Sequence, residues 1–116
     1  MTEYVAPIMR VADANAAVTW YERLGFVKEW EHRFRPGLPL YVGIVRGSIR
    51  IHLSEHTGDA RLGTLVYLYV DDVDAVAYAL GVTEIDDMRW GRDFEIADLD
   101  GNRLRIGTAT SSSHHS

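Results

Sequence analysis

The alternation of hydrophobic and polar positions in the first half of the chain predicts a strand, a helix and three further strands. An apolar segment at 4–11 has extended character, and Asp13 after it is a suitable helix N-cap. From Ala14 to Leu24 the apolar residues recur at helical spacing, and Gly25 supplies a left-handed stop. Short turns then separate three apolar segments, which predict strands over 26–33, 41–46 and 49–53. The first half is therefore predicted to be βαβββ.

The same order of elements returns in the second half. A strand over 64–70 precedes Asp72 as an N-cap, a helical stripe of apolar residues that ends at Leu80, and Gly81 as the stop. A weak strand over 82–85 and a closing hairpin, 92–97 with 104–108, complete the half. The last apolar residue of the first strand precedes the cap by two positions in both halves, Val11 before Asp13 and Val70 before Asp72. The chain is therefore predicted to be an internal duplication of one βαβββ unit within an α+β fold.

Length and composition favour one domain. The 116 residues are 47% hydrophobic, which suits a single packed domain over 1–108 with halves at about 1–57 and 58–108. The small polar residues of 109–116 are typical of a disordered tail, so His114 and His115 within it are poor ligand candidates. The absence of cysteine leaves histidine, carboxylate, hydroxyl, arginine and aromatic side chains for any site chemistry.

Charge and hydropathy restrict the partners. A net charge of −5 disfavours binding to phosphate backbones and to anionic lipid, so we expect no nucleic-acid or membrane partner. No apolar run approaches the roughly 20 residues that span a bilayer, and the first residues lack the basic start of a secretory signal. We therefore expect a cytoplasmic protein.

Two groups of motifs carry a resemblance to a known family. Residues 7–13 with 20–26 are similar to the first strand and helix of the vicinal-oxygen-chelate superfamily, which includes glyoxalase I, extradiol dioxygenases and bleomycin-resistance proteins. Residues 89–96, with their tryptophan-glycine-arginine sequence, and the aspartate-rich turn 98–102 resemble segments of bleomycin-resistance proteins. The resemblance covers the chain from residue 4 to about 108. It implies a curved mixed sheet around a groove, and a homodimer with ligand crevices at the subunit interface.

The resemblance also identifies where metal ligands would lie. Metal-dependent members use histidine and glutamate at four strand positions, which correspond here to Ala6, His52, Leu65 and Arg105. Alanine and leucine offer no donor atom, and arginine places a permanent positive charge where a cation would bind. Only His52 could coordinate. We therefore expect no metal, no other cofactor and no Lewis-acid catalysis.

The resemblance places a set of aromatic rings along the groove. Because side chains alternate across a strand, Tyr67 and Tyr69 share a face with Leu65, and His52 is expected to face the groove as well. The alternatives are core or interface packing for each ring, a hydrogen bond without a ligand for His52, and an ion pair with a carboxylate such as Glu29 for Arg105. The predicted ligand-binding residues are Trp30, Phe34, His52, Tyr67, Tyr69, Trp90 and Arg105.

These features favour a metal-independent protein that sequesters a small organic ligand, an aromatic or glycopeptide antibiotic of the bleomycin type, by ring stacking. One alternative is a metal-independent lyase, isomerase or hydrolase with His52 as acid and base, for which the sequence identifies no second polar partner. Another is a structural or regulatory dimer that binds no ligand. A metal pair of His52 and His56 is not expected, because their segment is a strand end and a loop instead of a helix.

Overall fold

The computed structural model describes residues 3–33 and 35–109, which form two successive βαβββ halves. This order confirms the predicted α+β class and the duplication. The first half consists of β1 (Ile8–Arg10), α1 (Ala14–Glu22), β2 (Val27–Arg33), β3 (Leu40–Arg46) and β4 (Ile49–Ser54). The second half consists of β5 (Leu65–Tyr69), α2 (Val73–Leu80), β6 (Asp86–Met88), β7 (Gly91–Ala97) and β8 (Arg103–Ala109).

Each half forms one four-stranded mixed sheet. The strand orders are β1-β4-β3-β2 and β5-β8-β7-β6, with the first and last strands of each half parallel and the other pairs antiparallel. Helix α1 packs on β2, β3 and β4, and α2 packs on β7 and β8. The other face of each sheet is called its open face. The open face of the first sheet includes Trp30, Tyr41, Gly43 and His52, and that of the second includes Tyr67, Tyr69, Asp93, Arg105 and Gly107.

An aspartate caps the start of each helix, as predicted. Asp13 and Asp72 both have extended backbone angles, and each side chain accepts a hydrogen bond of 3.1 Å from a backbone N–H three residues on. This bond satisfies one of the donors that every helix start leaves unpaired. Helix α2 ends at Leu80, and the next residue, Gly81, has a left-handed φ of 74°, as predicted, but α1 ends at Glu22, earlier than predicted. Neither of these two helices of the described residues is long and apolar enough to cross a bilayer.

Most strand boundaries differ from the prediction by one residue, and the strands at 4–11 and 82–85 differ by more. Strand β1 is confined to Ile8–Arg10, because only these residues pair with β4. The apolar residues at 82–85 form no strand, since Val82 and Ile85 pack against the core instead, and β6 follows them at Asp86–Met88. Strand β8 runs through Ala109, the first residue of the predicted tail. Residues 110–116, with His114 and His115, lie outside the described residues.

The core lies between each helix and its own sheet. On β3 and β4 the side chains alternate, so that Val42, Ile44, Ile51 and Leu53 face α1 and are fully buried. Burying an aliphatic side chain contributes roughly 1.5–3 kcal/mol, and these positions therefore hold the register of the first sheet. The residues between them necessarily face the opposite side. The alternation that builds the core thus also selects the side chains of the open face.

A buried carboxylate in the turn between β7 and β8 connects the two halves. Asp98 Oδ1 accepts hydrogen bonds from the backbone N–H of Asp100 at 2.8 Å and of Asn102 at 2.9 Å. Its Oδ2 accepts from the Asn102 side chain at 3.0 Å and from the Tyr21 hydroxyl at 2.8 Å. Since Tyr21 belongs to α1, the last bond joins the first half to the second. We call residues 98–102 the Asp98 turn.

The same turn makes two further bonds to the first half. The fully buried Asn102 donates to the Arg10 carbonyl at 3.0 Å, and Asp100 accepts from the Ala12 N–H at 2.9 Å. Burial, and next the Asp98 carboxylate, raise the pKa of Tyr21, so its hydroxyl is protonated and donates near neutral pH. The motif that resembles bleomycin-resistance proteins therefore has a structural role here: it fixes how the halves are joined.

We expect Asp98→Ala to lower the free energy of unfolding by about 3 kcal/mol, because the substitution leaves buried donors without their charged acceptor. Urea unfolding followed by circular dichroism measures this change. The control is Leu99→Ala in the same turn, where the exposed side chain should change stability by no more than about 0.5 kcal/mol. Equal unfolding midpoints for Asp98→Ala and the wild type would contradict the structural role of the turn.

Candidate ligand-binding site

A β-bulge in β2 places Trp30 on the open face of the first sheet. The pairing with β3 shifts by one residue between Lys28 and Trp30, so that Glu29 is the extra residue and Trp30 lies opposite Gly43. In a regular register Trp30 would lie opposite Val42, which faces the core. The bulge therefore turns the indole away from the core and onto the open face.

Trp30, Tyr41 and His52 form what we call the first ring cluster. The indole of Trp30 is nearly parallel to the ring of Tyr41, with centroids 5.8 Å apart and an angle of 7°. It meets the His52 imidazole edge to face at 5.0 Å. The Tyr41 hydroxyl lies 2.8 Å from His52 Nδ1, and either group can donate this hydrogen bond, depending on the imidazole tautomer. The cluster brings together two of the predicted site residues, Trp30 and His52, and it adds Tyr41, which the sequence did not single out.

The titratable groups of the first cluster favour neutral forms. Burial lowers the pKa of His52, and the Glu29 carboxylate opposes this shift only in part. Burial also raises the pKa of the Tyr41 hydroxyl, with a smaller contribution from the Asp59 carboxylate. An uncharged imidazole beside a protonated phenol presents a polar but uncharged edge to any bound molecule.

An ion pair lies beside the first cluster. Arg50 Nη1 is 2.8 Å and 2.9 Å from the two carboxylate oxygens of Glu29, and the guanidinium lies 4.9 Å from the centre of the Tyr4 ring. Glu29 therefore pairs with Arg50, so it is not the carboxylate that pairs with Arg105. The reason is the bulge, which puts Glu29 and Arg50 on the same side of the first sheet.

Tyr67, Tyr69 and Trp90 form the second ring cluster, on the second sheet. The two tyrosine rings are 4.6 Å apart, which confirms that they share a face. The Tyr67 hydroxyl donates to Asp93 Oδ2 at 2.9 Å. Burial, and next the bond to Asp93, raise the pKa of Tyr67 to about 12, while a hydrogen bond with Trp90 opposes the shift. Asp93 is the second site residue that the sequence analysis missed.

A cleft adjoins Trp90 at the same open face, and its volume is about 400 Å³. Arg105 lines it and donates to Glu95 Oε1 at 2.9 Å, so the predicted site residue Arg105 is held by a carboxylate of the neighbouring strand. This exposed ion pair is screened by water and contributes little to stability. The lining residues are Asp86, Met88, Trp90, Asp93, Phe94, Glu95 and Arg105.

The predicted site residues thus fall into two groups on different sheets. Trp30 and His52 lie in the first group, and the second group consists of Tyr67, Tyr69, Trp90 and Arg105. Among residues 3–33 and 35–109 no ring contact joins the two clusters. Phe34 lies outside the described residues. Tyr41 and Asp93 had a weak sequence signal: each is a polar or amphipathic residue at an alternate position of an apolar strand.

The four positions of the superfamily's metal ligands have other surroundings here. His52 Nδ1 is engaged by Tyr41, and Arg105 by Glu95. Leu65 is partly exposed and has no donor atom. Within the described part of the chain, no three histidine, aspartate or glutamate side chains converge as a metal site would require. The donor set around these positions does not fit a mononuclear divalent ion.

Comparison with known proteins identifies the family to which this chain belongs. Residues 1–112 match the family model described as glyoxalase superfamily protein. The chain belongs to the glyoxalase superfamily. No curated protein sequence matches this glyoxalase-superfamily chain significantly.

Several solved structures share the fold of this chain. The bleomycin-binding protein from bleomycin-producing Streptomyces verticillus, complexed with copper(II)-bleomycin, is 27% identical, with 96% of this chain and 100% of that chain covered and a TM-score of 0.68. A bleomycin-binding protein complexed with bleomycin is 18% identical, with coverages of 94% and 100% and a TM-score of 0.74. An antibiotic-binding protein from Streptomyces sp. CB03234 is 20% identical, with coverages of 94% and 98% and a TM-score of 0.73. The last two similarities concern the fold alone.

The lowered pKa of His52 predicts a titration midpoint below 6.5, measurable by two-dimensional NMR of the imidazole. Between that midpoint and about pH 6.5 the unfolded chain binds more protons than the folded one, so the folded state loses stability as the pH falls through this window. His52→Gln should reduce this loss relative to the wild type. A midpoint at or above 6.5 would show that the imidazole is not desolvated.

Proposed function

We propose that this protein binds a bleomycin-type antibiotic and sequesters it without chemical change, by stacking planar groups of the antibiotic on the two ring clusters. The observation that carries the proposal is the accessibility of the rings. Trp30, Tyr69 and Trp90 are 38%, 63% and 54% exposed, whereas the core aromatic Tyr21 is fully buried. Core packing would have buried the three rings as it buries Tyr21.

The energy of stacking is consistent with a useful affinity. Each ring contact contributes about 0.5–1.5 kcal/mol beyond the area that it buries, so three contacts supply roughly 1.5–4.5 kcal/mol. A micromolar complex needs about 8 kcal/mol, so buried apolar area must supply the remainder. The cleft beside Trp90, with Met88 and Phe94 in its wall, offers such area.

The relatives support the choice of ligand. The Streptomyces verticillus protein, 27% identical over nearly the whole of both chains, is named as a bleomycin-binding protein. Proteins of the same fold include one named as antibiotic-binding. The proposal extends this ligand class to the present chain, acting in the cytoplasm and without a metal of its own.

The proposal includes a homodimer. Apolar side chains remain exposed on or near the open faces, where the chain itself does not cover them, and exposed apolar patches commonly mark interfaces. A second copy could close each ring cluster into a crevice and shield the bound antibiotic from water. The exposed apolar residues concerned are Ile8, Leu65, Tyr69, Met88 and Trp90.

Titration with metal-free bleomycin should quench the tryptophan fluorescence of EDTA-treated protein, with saturation in the micromolar range. Trp30→Ala and Trp90→Ala should each weaken the affinity at least about tenfold by calorimetry, because each removes a stacking ring worth about 1.4 kcal/mol or more. The matched control is Tyr78→Ala, which removes an exposed aromatic ring from α2, on the other side of the second sheet, and should leave the affinity unchanged.

The same titration separates binding from catalysis. Mass spectrometry of the released bleomycin should show an unmodified molecule. Absence of quenching and of heat at several hundred micromolar bleomycin would rule out sequestration of this antibiotic and leave the fold unaffected.

Sedimentation velocity should give a species of twice the 13.1 kDa of the chain. We expect the dimer because burial of the exposed apolar side chains offsets the entropy lost on association. Tyr78→Ala, which changes an exposed ring of α2 away from the open faces, should sediment as a dimer as well. A single 13.1 kDa species over the micromolar range would contradict this part of the proposal.

The Tyr41–His52 pair favours a second candidate, a metal-independent lyase or isomerase. The hydrogen bond of 2.8 Å supplies the polar partner that the sequence did not identify. An imidazole whose pKa is lowered by burial is neutral near pH 7 and could accept a proton from a bound substrate. Modification of a bound molecule that His52→Gln abolishes, with binding retained, would favour this candidate over sequestration.

A further inference from the structure

Gly43 lies in the middle of β3, where glycine is an unfavourable choice. A glycine inside a strand loses conformational freedom on folding and offers no side chain to pack. Gly43 is not among the glycines with a positive φ, so its backbone conformation is open to other residues. The reason for a glycine at position 43 must therefore be steric, because a side chain would have no room there.

The Trp30 side chain occupies the volume that a side chain at position 43 would need. A Cβ atom at position 43 would lie 2.6 Å from Cζ2 and 2.7 Å from Nε1 of the indole, and its closest neighbour would be a third atom of the same ring. Real Cβ atoms do not approach other heavy atoms this closely. The indole thus lies flat on the backbone of β3, and from there it reaches His52 on β4.

We infer that Gly43 is the positioning residue of the first ring cluster: by having no side chain, it lets the Trp30 indole lie across β3 between Tyr41 and His52. The inference rests on the proposed function for its meaning, because a flat, exposed indole is a platform for a planar heteroaromatic group of the ligand. Any side chain at position 43 would lift the indole, break its contact with His52 and tilt the platform. Gly43 would thereby make the open face of the first sheet suitable for planar groups of a ligand.

Gly107 on β8 provides an internal comparison. A Cβ atom there would approach the Tyr67 hydroxyl, but it would also lie 2.7 Å from the Arg92 carbonyl and 2.8 Å from Asp93 Cβ. Removing the tyrosine hydroxyl would therefore not make room at position 107. At position 43 the three nearest obstacles are all atoms of one removable side chain.

The test is a double-mutant cycle of Gly43→Ala and Trp30→Ala, read by urea unfolding and by near-ultraviolet circular dichroism. In the wild-type background we expect Gly43→Ala to raise the unfolding equilibrium constant at least tenfold and to change the aromatic circular dichroism. In the Trp30→Ala background the same substitution should have no unfavourable effect, because the obstacle is gone. This second background also decides the matter if Gly43→Ala alone does not fold.

Two matched glycine substitutions serve as controls. Gly58→Ala, at a position with open space and no positive φ, should leave unfolding and aromatic circular dichroism unchanged. Gly107→Ala should remain destabilising when Tyr67→Phe is added. An equal effect of Gly43→Ala with and without Trp30, or no effect in either background, would overturn the inference.

Binding of metal-free bleomycin separates this inference from the proposed function. If the wild type binds, Gly43→Ala should weaken the affinity at least tenfold and Gly58→Ala less than twofold. If the wild type does not bind, the proposed ligand is wrong, while the unfolding cycle still decides the role of Gly43. An unchanged affinity in Gly43→Ala, with the wild type binding, would overturn the role of Gly43 in ligand recognition.

Discussion

The Asp98 carboxylate is the interaction on which the arrangement of the two halves depends. The strands of each half pair only within their own sheet, so strand pairing does not set how one half lies against the other. Asp98 is almost fully buried, and its charge is stabilised by four donors, one of which, the Tyr21 hydroxyl, belongs to the other half. A carboxylate with so many directed bonds has few alternative positions. Asp98 acts together with the bonds of Asn102 and Asp100 to the first half and with the hydrophobic core that both halves share.

Much of the fold could be predicted because its signals are local. Each helix start is set by an aspartate cap, and the strands of the core by alternating apolar residues. The prediction was wrong where tertiary pairing decides the outcome. The extent of β1 depends on which of its residues pair with β4, and Val82 and Ile85 pack against the core instead of pairing in a sheet.

The candidate site was predicted less completely, for a related reason. Tyr67 and Tyr69 follow the simple alternation of one strand, and the resemblance to bleomycin-resistance proteins named Trp30 and Trp90. Tyr41 and Asp93 acquire their roles from partners on other strands, His52 and Tyr67. Such cross-strand partnerships depend on register, which a single sequence without an alignment does not reveal.

The bulge at Glu29 has a consequence for how this surface can change over time. Because the bulge accommodates Glu29 as an extra residue, Trp30 and the residues after it keep the partners on β3 that a strand one residue shorter would give them. An inserted residue that is taken up as a bulge thus leaves both faces of the sheet unchanged beyond it, whereas the same insertion without a bulge would exchange the solvent-facing and core-facing side chains. Duplicated halves with separate sheets allow one half to undergo such an event while the other keeps its fold. A single inserted residue of this kind can therefore add a side chain beside the ring cluster, as Glu29 does with Arg50, without disturbing the core.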